Sequence, residues 1–103
     1  MKEFRENLYT NAGLENLVEN LVIQELYNFT QMVKHTQNSK FCVCYICLAD
    51  VAAIVLNELK PYYCSNFIDK NKKIDYFSKN KAEIQQKIIE AFEMVIKNPH
   101  HGS

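Results

Sequence analysis

The chain has 103 residues, 48% hydrophobic and 23% charged, with only two glycines and two prolines; this describes one small, helix-rich domain spanning residues 1–103 and excludes extended disorder and repeat arrays. Twelve basic and twelve acidic residues cancel, so no global field favours nucleic acid or an acidic membrane. No stretch approaches the roughly 20 uninterrupted apolar residues of a membrane span, and Met1-Lys2-Glu3-Phe4-Arg5-Glu6 lacks the apolar run of a secretory signal, so the expected compartment is the cytoplasm, with no membrane partner.

Leu14, Leu17, Val18, Leu21, Val22, Leu26, Phe29, Met32 and Val33 recur at three- and four-residue intervals, the stripe of a long amphipathic first helix. Thr10 or Asn11 is positioned to cap its start, and it should fray near His35, before the loop-like Thr36-Gln37-Asn38-Ser39. A second helix runs from Tyr45 to Leu59. Its apolar residues (Ile46, Val51, Ala52, Ala53, Ile54, Val55, Leu56 and Leu59) surround most of the cylinder, so burial on more than one side is expected. Pro61 ends it, and Tyr62-Tyr63-Cys64-Ser65-Asn66-Phe67 reads as a short extended arm. Lys70 to Lys81 is lysine-rich and polar, a solvated connection. Asn80 and Glu83 then resemble a capping box opening a third helix over about residues 80–97, with Ile84, Ile88, Ile89, Ala91, Phe92, Val95 and Ile96 on a wide apolar stripe. The architecture read from these elements is mainly α. It is either a compact three-helix bundle or a homodimer whose helices share one core.

Cys42-Val43-Cys44-Tyr45-Ile46-Cys47 sets three thiols at the mouth of the second helix, where the helix dipole favours thiolate. Such a run suits a soft divalent metal, zinc first. In a reducing compartment four cysteines are ligands or buried thiols rather than disulfides. Zinc needs a fourth ligand. Cys64 is the obvious candidate, but the intervening helix carries the chain roughly 18 Å from the knuckle, and the residues after Leu59 span at most about 17 Å in return. A second, antiparallel subunit can supply Cys64 instead; His35, His100, His101, Asp50 or water are the other options. Against the metal stands a reading of the thiols as plain packing residues. A redox role has only Cys44-x-x-Cys47 behind it, with no thioredoxin-like strand preceding.

Asp50 and Asn57 lie two turns apart on one face of an otherwise apolar helix and need partners. On one reading Asp50 orients the knuckle and Asn57 bonds the Pro61 turn. On the other they face a ligand cavity in which Tyr62, Tyr63 and Phe67 stack on a base, with Arg5 or Lys70 to Lys73 meeting phosphates. Direct nucleic-acid binding rests only on Lys70, Lys72, Lys73, Lys79 and Lys81, for which a solvated loop is the default. There is no phosphate loop, nucleophile–histidine pair or paired carboxylate set, so no enzymatic activity is expected.

The run Cys42 to Tyr63, joining C-x-C-x-x-C to a D-V-x-A-x-x-L-N-x-L-x-P-x-Y segment, resembles the ComFB late-competence family of bacteria, as does Asn16-Leu17-Val18-Glu19 upstream. The likeness covers about residues 9–67. It implies a small helical homodimer without enzymatic activity, zinc on the knuckle cysteines, and a link to competence or motility. Some members of the family are described as receptors for cyclic dinucleotides, so the resemblance also implies a cyclic-di-GMP or cyclic-di-AMP site on Asp50, Asn57, Pro61 and Tyr63, in a receptor that signals to a protein partner. Cys64 departs from the family pattern. The competing expectation is a structural module, zinc-stabilised and dimeric, that presents a surface to the DNA-uptake machinery and takes no small molecule.

Overall fold

The computed structural model describes residues 1–36, 40–65 and 71–97, the last span by its backbone alone over 71–73. Its elements are α1 (Lys2–Glu6), continued by a π-helical turn (Asn7–Asn11); β1 (Glu15–Asn16); α2 (Leu17–Lys34); α3 (Tyr45–Glu58); β2 (Tyr63–Cys64); and α4 (Asn71–Lys97). The mainly α fold expected from the sequence is what the chain adopts, with four α-helices among the described residues.

In α2 Leu17, Val18, Leu21, Val22, Leu26 and Val33 of the expected stripe are buried, joined by Glu25 and Thr30, while Met32 is exposed. Its start differs from the expectation. The cap is Asn16, whose side chain accepts hydrogen bonds from the N–H groups of Val18 and Glu19. Thr10 and Asn11 belong instead to the preceding helical segment, separated from α2 by Gly13 at φ 73°, a left-handed conformation that glycine adopts without steric cost. The C-terminal cap is His35, as expected, and Thr36 closes the end by donating from its hydroxyl to Met32 O at 2.8 Å.

The second helix is less enclosed than its composition suggests. Only Cys47, Val51 and Val55 are buried along α3, while Tyr45, Ile46, Ala49 and Ala53 are exposed. Within one chain α3 therefore packs along one side, and the apolar residues on its other side face outward.

The largest correction concerns the third helix. It begins at Asn71, not near Asn80, so the lysine-rich connection is helical over 71–81. Asn80 does not cap; its side-chain amide donates to Tyr76 O at 2.9 Å, one turn back within the same helix. The added turns have their own anchors. Tyr76 packs on Tyr62 with ring centroids 5.4 Å apart, Phe77 lies against the core, and Lys79 pairs with Asp75 one turn away.

α2 and α3 run antiparallel, and α4 packs on both. Their shared core is Val18, Leu21, Val22, Leu26, Cys47, Val51, Val55, Ile84, Ile88, Ala91, Phe92 and Val95. At one end β1 and β2 pair antiparallel, Glu15 with Cys64 and Asn16 with Tyr63. At the other end Phe41 joins Phe29 and Phe92 in an aromatic cluster, with centroids 4.7 to 5.5 Å apart, and so anchors the segment leading into the cysteines.

Candidate metal centre

The knuckle is built by the opening of α3. Cys44 is the N-cap: its sulfur accepts from the Cys47 N–H at 3.5 Å, and its carbonyl accepts from the Leu48 N–H at 2.9 Å. A cap must fold back over the first turn, and this brings Cys44 and Cys47 together. Cys42 is held from the other side by Phe41 in the aromatic cluster. The sulfurs of Cys42, Cys44 and Cys47 all lie within 4.8 Å of one another. A zinc ion bound to thiolates at about 2.3 Å spaces them at about 3.8 Å, so the three sulfurs fit one ion with small adjustments of their side chains.

The three thiols differ in environment. Cys47 is buried, Cys42 half-buried and Cys44 exposed. The Cys44 thiol is held below its ordinary pKa first by the Cys47 N–H directed at its sulfur, opposed by partial desolvation and helped by its thiol neighbours. The Cys47 thiol is pushed up to about 12, first by burial and then by Cys42 and Cys44 beside it. A cation at the centre of the three sulfurs reverses that penalty, because it replaces thiol–thiolate repulsion with coordination.

Cys64 is not part of this group. Its Sγ lies 3.6 Å from Glu15 Oε1, on the β1–β2 ribbon at the start of α2, whereas the knuckle sits by the end of α2. An intrachain site of all four cysteines is not formed; the straight return along α3 that it requires is diverted when the arm pairs with β1. The expected ligand residues are also divided. Asp50 is half-buried one turn beyond Cys47. Asn57, Pro61 and Tyr63 are exposed at the far end of α3, about 10 Å further along the helix axis. The Pro61 turn is secured from the start of α2 and not, as expected, by Asn57: Tyr62 N–H donates to Asn16 Oδ1 at 3.2 Å, and Leu17 N–H donates to Tyr62 O at 2.7 Å. Phe67, Lys70, His100 and His101, and the side chains of Lys72 and Lys73, lie outside the described residues.

Two residues matter more than sequence reasoning assigned them. Asn16 both caps α2 and pins the arm; the Asn16-x-x-Glu19 spacing, like that of a capping box, is the signal that points to it. Glu25 is buried between α2 and α4, where it accepts from Gln85 Nε2 at 2.8 Å and stands 3.9 Å from Lys81 Nζ. Nothing in its local sequence announces those partners.

A mainly α chain with a three-thiol knuckle capping its central helix and a short two-stranded clasp at the opposite end defines a small candidate metal-binding helical module. The family model described as "Late competence development protein ComFB" matches residues 15–99, and the chain belongs to that family. Among solved structures the chain is similar to the late competence protein ComFB from Bacillus subtilis, with 22% identity, a TM-score of 0.61, and coverage of 84% of this chain and 91% of that one; at that identity the likeness speaks to the fold. No curated protein sequence matches this chain.

Proposed function

We propose that this chain is a non-enzymatic, cytoplasmic adaptor of the ComFB family, a homodimer that holds zinc on Cys42, Cys44 and Cys47 and senses a cyclic dinucleotide in competence or motility signalling. The observation that carries the metal reading is the approach of three sulfurs within 4.8 Å of one another. Sulfur donors grouped this closely favour zinc over the hard cations. A site completed by a fourth protein ligand is structural rather than catalytic. Cys64 of a second copy is the proposed fourth ligand, since its own chain carries it to the opposite end. The exposed apolar residues of α3 support a dimer, because burying them against a second copy removes them from water.

The cyclic-dinucleotide reading draws on the family resemblance and on the exposed group Asn57, Pro61 and Tyr63, with Asp50 contributed from further up α3. Calorimetric titration of the metalated protein with cyclic-di-GMP and with cyclic-di-AMP is the test. Saturable heat with one of them, lost in Asn57→Ala, is the expected result; a flat trace with both removes the receptor reading. In that event the second reading takes over: a zinc-stabilised dimeric module that presents a surface to the DNA-uptake machinery. The wide separation of Asp50 from Asn57, Pro61 and Tyr63 within one chain favours that second reading.

A further inference from the structure

Residues Lys2–Glu6 and Asn7–Asn11 form ten consecutive helical residues, none of them buried. Phe4 and Leu8, one turn apart, and Tyr9 beside them are 65%, 40% and 40% exposed. A ten-residue helix does not hold its shape in water unaided, so this segment needs a surface to lie on. In this structure it does not pack into its own bundle. Ala12 N–H donates to Asn7 O at 3.0 Å, Leu14 N–H donates to Leu8 O at 2.9 Å, and Gly13 sits at φ 73°; together these set the direction in which the helix leaves β1.

The bundle offers a matching surface. Between α2 and α3 runs a groove of about 620 Å³, lined chiefly by Ile23, Leu26, Tyr27, Leu48, Ala49 and Ala52. Its alanines, Ala49 and Ala52, leave room for larger side chains, and Tyr45, which also lines it, is 90% exposed. The groove extends along α2 from Ile23 to Lys34, about 16 Å, against about 15 Å for the ten-residue helix. Among the described residues that line the groove Lys34 is the one basic side chain, and on the N-terminal helix Lys2 and Arg5 balance Glu3 and Glu6, so it is apolar contact that the two surfaces offer each other.

We propose that the N-terminal helix of one copy lies in the α2–α3 groove of a second copy, with Phe4 and Leu8 seated on Ala49 and Ala52. The exchange is reciprocal about a two-fold axis, so each copy fills the other's groove. This inference rests on the homodimer reading and adds to it the element that makes the interface.

The test uses full-length, zinc-loaded protein in which a photoreactive benzoylphenylalanine replaces Leu8, mixed as isotopically labelled and unlabelled chains. Irradiation should join differently labelled chains, with the attachment mapped to α2 between Ile23 and Lys34 or to α3 between Tyr45 and Ala52. Attachment within a single chain, or to another surface, overturns the proposal. In parallel, Phe4→Ser with Leu8→Ser, both at exposed positions, should weaken the dimer about tenfold or more in sedimentation equilibrium while leaving the helical spectrum of the bundle unchanged. An unchanged dimer constant sinks the exchanged helix and leaves the homodimer standing. A wild-type chain that stays monomeric at every concentration removes both.

Discussion

Asn16 shows how much one side chain can decide. Its Oδ1 accepts from Val18 N–H at 3.1 Å, Glu19 N–H at 3.4 Å and Tyr62 N–H at 3.2 Å, so a single oxygen starts α2 and fastens an arm 46 residues away. Asn16→Ala should lower stability by about 2 kcal/mol, the sum of a lost cap and a lost tertiary bond; Asn16→Asp keeps the acceptor and should recover most of it. Urea unfolding reads both, and equal losses in the two variants would mean that the oxygen is not what matters. At the knuckle the thiols set a pH dependence. In the metal-free chain Cys47 keeps its proton up to about 12, against 9.0 for an ordinary thiol. The unfolded chain therefore releases this proton at lower pH than the folded one. The stability linked to the buried thiol is complete below pH 9.0 and drains away as the pH rises from there toward 12. Melting curves of apo-protein between pH 8 and 11 should fall on the alkaline side, and Cys47→Ala should flatten that fall.

At the scale of elements, the aromatic cluster couples the core to the knuckle. Phe92 of α4 stacks on Phe29 of α2 at 4.7 Å and meets Phe41 edge-on at 5.5 Å, and Phe41 directly precedes Cys42. Removing the central ring leaves a cavity among residues that cannot all collapse into it. Phe92→Ala should cost about 3 to 5 kcal/mol in chemical denaturation. Phe41→Ala touches the same cluster from the loop side; it should lower zinc affinity about tenfold while changing stability of the apo-protein less than Phe92→Ala does. A competition titration with a chromophoric chelator measures the first, and unchanged affinity would show that the cysteines set their own geometry. The length of α4 belongs to this scale too. Its first turns have little apolar content in sequence, and they are held by Tyr76 on Tyr62 and by Phe77 on the core, contacts that exist only once α3 and the arm are in place.

For the whole molecule, metal and fold stabilise each other, because a chain of 103 residues has a modest core and gains from every additional constraint. Elemental analysis should find about one zinc per chain. Stripping it with a chelator should lower the melting temperature by about 5 °C or more, on the scale of roughly 1 kcal/mol or above for a domain of this size. Recovery of metal-free protein with an unchanged melting curve would reduce Cys42, Cys44 and Cys47 to packing residues. No helix among the described residues is long and apolar enough to cross a membrane.

The features legible in the sequence are those set by spacing along one helix or across one turn. The stripe from Leu17 to Val33, the apolar face from Ile84 to Val95, the stop at Pro61 and the grouping of Cys42, Cys44 and Cys47 all depend on residues within a few positions of each other, and local backbone geometry brings such residues together in any context. The route of the chain between helices is decided by different physics. Cys64 paired beside Glu15 rather than reaching the knuckle, Glu25 buried against Gln85, and Asn80 in mid-helix rather than at a cap all follow from contacts between different elements of the fold. Those contacts form only where the packed bundle places two distant surfaces within reach, and no periodicity in either segment encodes the other's position.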